Sequence, residues 1–391
     1  ISEEDVKTFT IYYGGIFDGN DKNISNVYIN EQNTYRRGFF SIVLGKSIIK
    51  NVTISGSVSA YQGNGALVGW IIEGKIVNCT NIAKVQGVNN IGGIAGGTGN
   101  SATIQDCKNN GKINATGENI GGIVGINRGM TNNCFNSADI DSGSRIGGIT
   151  GYNEGTIDTC CNIGKIIANG NSFFGGASTT YKASYAGGIV GYNSNIIRKS
   201  LNKGNIEALY RVVGGITGRN YGTVEYCSNA GSVKGEAVIG GIVGNNRGYI
   251  LNVYNIAEEI ENRLSTDGCV GGIAGNQNTT DNAYIKYAYN KAKVIGLIYG
   301  GGCIGGMNVG NASNFYNMGT IQVTNTTYKG EVYGYTYSTS AVTKSGSTTE
   351  SVMIGWSQTT INNNIGSGFV KKTNSLPILN IKIPIYNNYT F

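Results

Sequence analysis

The string Gly-Gly-Ile-x-Gly starts at Gly92, Gly121, Gly147, Gly187, Gly214, Gly240 and Gly271, and a degenerate copy, Gly301-Gly302-Cys303-Ile304-Gly305, follows. Successive starts lie 29, 26, 40, 27, 26, 31 and 30 residues apart. Each copy belongs to a longer pattern, Gly-x-Asn-x-Gly-x-Ile-x-x-Cys-x-Asn-x-Gly-x-Ile. One copy reads Gly151, Asn153, Gly155, Ile157, Cys160, Asn162, Gly164 and Ile166. A period of about 20–50 residues marks a repeat architecture, whose single unit cannot bury its apolar side until neighbours stack on it.

The spacing within the repeat selects the kind of unit. A helical repeat needs an uninterrupted amphipathic run of about ten residues or more, and here Gly or Asn breaks the chain every few positions. What remains are pieces such as Thr156-Ile157-Asp158 and Lys165-Ile166-Ile167, apolar at alternate positions and bounded by turn residues. These read as strands of roughly three to five residues, about three to a turn. Stacked about 4.8 Å apart, such coils pair their backbones and align their Ile side chains into one core. The expected fold is all-β: a single parallel β-helix of roughly 10–11 coils, about 50 Å long, with capped ends. The crossover rule makes it right-handed. Residues 1–63 form N-terminal coils and a cap, 64–323 the repeat solenoid, and 324–391 a Ser/Thr/Tyr-rich C-terminal coil and cap, the tail covering the last coil.

Repeated positions then acquire structural roles. Ile123, Ile149, Ile189, Ile216, Ile242 and Ile273 form an inward column, and the glycine pair before each stands where no side chain fits. Asn127, Asn153, Asn193, Asn220 and Asn246 form a second column, and Asn136, Asn162, Asn202, Asn229 and Asn255 a third. Asn accepts left-handed turns, and stacked amides bond along the axis at the strand spacing. An insertion at 168–186 lengthens the 40-residue repeat, and a smaller one falls at 276–283; both are expected as surface loops.

Composition removes whole function classes. The 391 residues include 63 Gly, 2 Pro and no His, which excludes collagen, Ser–His and Cys–His nucleophile pairs, and imidazole ligands. The net charge of +7 comes from scattered Lys and Arg, which make no nucleic-acid footprint. No apolar stretch approaches the ~18 residues of a membrane span. No cofactor is expected.

The repeat core, best seen from Gly121 to Ile140, together with Phe17-Asp18-Gly19-Asn20, Ile24-Ser25-Asn26 and the closing Phe369 with Leu376-Pro377-Ile378-Leu379, resembles bacterial surface and secreted proteins with GLUG-type repeats. The resemblance covers nearly the whole chain. It implies a β-solenoid in an exported, extracellular or cell-surface protein, and it brings no catalytic residues with it.

Cys79, Cys107, Cys134, Cys160 and Cys227 share one repeat position, with Ser200 and Val253 where two more would fall. In-register neighbours point their Cβ atoms the same way, which disfavours a disulfide, and the Ser and Val replacements suit a small buried slot. A free-thiol column is the favoured reading, intercoil disulfides the alternative. A metal site lacks a second ligand type at this position. Asp139 with Asp141, Asp158, and Glu258-Glu259-Glu261 are the only local acidic groups suggesting glycoside chemistry, and none recurs on one face of adjacent coils. Gly45-Lys46-Ser47 has Phe40 where a phosphate loop needs its first Gly.

The 168–186 insertion carries Phe173, Phe174, Tyr181 and Tyr185. These rings form either a contact surface for a host or neighbouring-cell glycan or protein, or loop packing against the flank. The Tyr-rich stretch from Tyr328 to Tyr337 poses the same choice. The functional expectation is a non-catalytic exported rod, a stalk or adhesin acting through surface loops. A self-associating fibre subunit is the alternative, and a polysaccharide-active β-helix enzyme a third reading.

Overall fold

A computed structural model describes residues 12–169, 185–209, 212–263, 268–277, 283–307, 311–336 and 342–380. Among the described residues, 46 strands join into one parallel sheet that winds into a β-solenoid of about 11 turns, as the repeat spacing predicts. The coil from Ile146 to Ala168 shows the plan. Its strands are Ile146–Gly147, Thr150–Asn153, Thr156–Asp158, Cys161–Asn162 and Ile166–Ala168. Every one pairs in register with the next coil: Gly147 with Gly187, Asn153 with Asn193, Ile157 with Ile197, Asn162 with Asn202, and Ile166 with Ile206. The insertion leaves the coil between Ala168 and Tyr185 without disturbing that register.

A turn of the solenoid therefore holds five short ladders, where the sequence predicts about three. The extra corners come from residues whose side chains bond the backbone just ahead. Asn162 Nδ2 donates to Gly164 O at 3.0 Å, and Asn153 Nδ2 to Gly155 O at 3.0 Å, so each Asn closes a turn within its own coil. Neither Asn column is left-handed. The left-handed corner lies one residue before the Cys position, at Asn78 (φ 51°), Asp106 (φ 55°), Asn133 (φ 49°), Thr159 (φ 55°), Lys199 (φ 50°) and Tyr226 (φ 53°). Stacking holds that corner on every coil, so even Thr and Tyr occupy it.

The interior is one continuous core. Ile149 and Ile216 are fully buried in the same apolar cluster, which runs from Phe40 to Phe315. Burying each such Ile contributes roughly 1.5–3 kcal/mol. At the N-terminal end the aliphatic fill gives way to rings, with Phe17 5.2 Å and Tyr13 4.7 Å from Phe40.

Two amide ladders run through this core parallel to the axis. One links Asn81, Asn109, Asn136, Asn162, Asn202, Asn229, Asn255, Asn290 and Asn317 by Nδ2–H to Oδ1 bonds of 2.7–3.0 Å. The other joins Asn127, Asn153, Asn193, Asn220 and Asn246 at 2.8 Å and ends on Gln277. A fully buried amide survives only with its donors and acceptors matched, and the intercoil spacing supplies the next amide for each.

The closing segment lies along the flank of the rod. Two short helices, Glu350–Ile354 and Gln358–Ile365, and an antiparallel pair, Phe369–Lys372 with Ser375–Leu379, bury Met353, Ile361, Ile365, Phe369 and Leu379 against Tyr254 and Tyr289. Tyr254, Tyr289 and Tyr316 sit in one file on neighbouring coils, and the outward rings draw the tail to the side. The expectation of a tail over the last coil does not anticipate this position. Tyr289 Oη anchors it by donating to Pro377 O at 2.7 Å.

Candidate functional site: an arginine–tyrosine strip on one flank

The x of each Gly-x-Asn points outward, because the Gly and Asn on either side are buried. That position holds Tyr152, Tyr192 and Arg219 on three successive coils, in register. One file to the side, Tyr185 pairs with Val212; beyond the Asn corner come Arg128, Glu154, Tyr221 and Arg247. The winding thus gathers residues far apart in sequence into one exterior strip.

Its rings form a chain. Tyr152 and Tyr192 meet edge to face at 5.2 Å, Tyr185 and Tyr192 at 5.6 Å, and Tyr192 and Tyr221 stack at 5.6 Å. Guanidinium groups lie over them: Arg219 4.9 Å from the Tyr221 centroid and 5.5 Å from Tyr185, Arg247 5.5 Å from Tyr221, and Arg145 5.5 Å from Tyr152. Arg219 also donates to Tyr185 Oη at 2.7 Å and to Tyr221 Oη. Stacked cation–π pairs of this kind are worth about 0.5–1 kcal/mol at exposed sites and more where water is excluded. Toward the N-terminus the strip continues to Trp70, with Arg36 at 5.3 Å and Arg128 at 5.9 Å from its ring.

The strip is cationic. Arg128 pairs with Glu154 at 2.7 Å and Arg145 with Glu118 at 3.2 Å. Arg219 and Arg247 have no carboxylate partner among the described residues, and the Nε of each is buried without a hydrogen bond. Partial burial, followed by the neighbouring Tyr221, pushes the Tyr192 phenol up to about 12, which keeps the ring neutral. The arrangement offers flat ring faces, phenol hydroxyls and unspent guanidinium donors along one line.

Of the insertion aromatics, Tyr185 belongs to this strip, while Phe173, Phe174 and Tyr181 lie outside the described residues. Periodicity alone does not single out Tyr152, Tyr192, Tyr221 and Arg219. Their signal in the chain is the outward x of the Gly-x-Asn repeat, which reads Tyr, Tyr, Arg on consecutive coils. Tyr299, Tyr328 and Tyr335 pack mutually at 4.9–5.4 Å further along the rod.

The other singled-out residues fall elsewhere. Cys79, Cys107, Cys134, Cys160 and Cys227 line up inside the core, and none of the eight cysteines forms a disulfide. Cys107 Sγ approaches Gln105 O at 3.1 Å, and Cys134 Sγ approaches Asn132 O at 3.2 Å. Burial pushes the Cys134 and Cys227 thiols up. The acidic groups are engaged by neighbours: Asp158 with Arg198 at 2.7 Å, Glu259 and Glu261 with Lys234, and Asp139 with the Lys165 amide at 2.8 Å. Asp141 accepts from Asn169 at 3.3 Å.

No protein-family model and no curated protein matches this chain. Among solved structures it is similar to a candidate immunoglobulin A1 protease from Bacteroides ovatus, at 16% identity over 93% of this chain and 76% of that one, with a TM-score of 0.31. So loose a superposition carries no argument about activity.

Proposed function

We propose that this chain is a non-catalytic rod of an exported bacterial surface protein, akin to GLUG-repeat proteins, that attaches to a glycan or protein through its flank. The arginine–tyrosine strip beside the insertion carries this reading. A rigid solenoid has no need to place Tyr185, Tyr192, Arg219 and Tyr221 in mutual contact outside its core. Large rings and Arg supply contact area at low ordering cost, which is why they dominate binding hot spots. The decisive experiment is a glycan and matrix-protein binding screen on three forms: wild type, the chain lacking 170–184, and Tyr192→Ala with Arg219→Ala. Binding present in wild type and lost with the strip is the expected result; binding by none of the forms to any target overturns attachment.

A second reading, a fibre subunit, draws on one observation. Strands Lys329–Gly330, Tyr333–Thr336 and Val342–Ser347 pair only with the preceding coil, which leaves their outer edges unpartnered among the described residues. Open edges template further strands. Electron microscopy across concentration separates the two, since growing filaments belong only to the second.

A further inference from the structure

A second flank of the rod carries a groove of different chemistry. It spans the N-terminal coils and has a volume of about 770 Å³. Its floor is an in-register row, Asn30, Ser59, Gln86, Asn114 and Asp141, one residue per coil. Tyr28 flanks the row on one side, two residues before Asn30, and Tyr61 on the other, two residues after Ser59. The rings are 56% and 38% exposed, respectively. Among the lining residues Asp141 is the one carboxylate, and no Lys or Arg is present.

From this geometry we infer that the groove is a binding site for a linear, uncharged polysaccharide lying along the rod axis. Three observations converge on that ligand. The floor presents amides and hydroxyls, which match sugar hydroxyls as both donors and acceptors. Part of the row is already organised, since Gln32 Nε2 bonds both Asn30 Oδ1 and Ser59 Oγ at 2.8 Å. The exposed faces of Tyr28 and Tyr61 suit the apolar face of a pyranose ring.

The lining holds no cation and one carboxylate, Asp141, which disfavours an anionic polymer against a neutral one and separates this groove from the arginine–tyrosine strip. Register also favours a polymer. Equivalent polar groups recur once per coil, about every 4.8 Å, a repeat close to the length of one hexose unit in an extended chain. The site rests on the reading that the rod acts by attachment, and it names a ligand class for a face distinct from the strip.

The test is isothermal titration of the full chain with soluble β-glucan, mannan, xyloglucan and dextran, beside polygalacturonate as the charged comparison. Saturable binding to at least one neutral polymer is expected. Tyr28→Ala with Tyr61→Ala should weaken it at least tenfold, Asn114→Ala should weaken it measurably, and Tyr61→Phe should retain it. Lys234→Ala, outside the groove lining, should leave it unchanged, and circular dichroism should show every variant folded. No binding to any neutral polymer, preference for polygalacturonate, or undiminished binding by the Tyr28 and Tyr61 variant overturns the groove. If neutral-polymer binding is lost only with the strip variant, the groove fails while attachment stands.

Discussion

A Cβ built on Gly148 would lie 2.3 Å from the Asn162 side-chain carbon Cγ, so the Asn amide occupies the space that any larger residue at 148 would need. The same pairing joins Gly122 to Asn136, Gly188 to Asn202, Gly215 to Asn229 and Gly241 to Asn255. Gly148 is not left-handed, and its requirement is space. Gly148→Ala should therefore lower stability by about 1–3 kcal/mol, as overpacking of a tight interior does. Gly14→Ala, with nothing within 4 Å of its Cβ, should stay within about 0.5 kcal/mol of wild type. Parallel urea titrations check the pair, and equal midpoints for the two variants would contradict the steric account.

Asn162 accepts from Asn136 at 2.8 Å and donates to Asn202 at 2.9 Å and to Gly164. Asn162→Ala strands groups on three neighbours inside the core. Each orphaned group costs about 1–3 kcal/mol, so this variant should be among the most destabilised of single substitutions. Hydrogen exchange should show protection lost first in the coils on either side of residue 162. Uniform loss along the rod would mean that the ladder does not act locally.

The cysteine column predicts a thiol count. In denaturant without reductant, a thiol-reactive dye should label all eight cysteines. In the folded protein near neutral pH, labelling should be confined to Cys269, the half-buried one. Cys161 resists attack because burial pushes its thiol up to about 12, and the reactive thiolate is scarce. Fewer than eight labels in denaturant would show intercoil disulfides.

Tyr254 is 2% exposed, and its burial pushes the phenol up to about 12. The unfolded chain ionises near pH ~10. The folded state holds the proton longer, so this residue's stabilising contribution is complete below about pH 10 and is lost as pH rises toward 12. Urea midpoints should fall across that window, and Tyr254→Phe should fall less steeply. A variant that follows the wild-type slope would assign the alkaline loss to other groups.

Much of this architecture is legible in the chain itself because stacking converts a period into a column. Once Gly147, Gly187 and Gly214 are read as equivalent, the inward Ile file and the stacked amides follow from the 4.8 Å spacing alone. The finer path is not legible. Five ladders replace three because Asn153 and Asn162 turn the chain by bonding backbone oxygens two residues ahead, contacts that alternation of apolar residues does not encode. Left-handed corners at Thr159 and Tyr226 escape local propensity because neighbouring coils impose them.

The repeat alone thus determined a stacked parallel solenoid and the residues of its core, since burial and hydrogen-bond matching act identically on every copy. Tertiary structure decided what the exterior does. Arg219 meets Tyr185 across 34 positions, Asn30 stands in file with Asp141, and the closing segment lies on Tyr254 and Tyr289. Outward residues are free to vary from coil to coil, so no period announces them; only the winding brings them within a few ångströms.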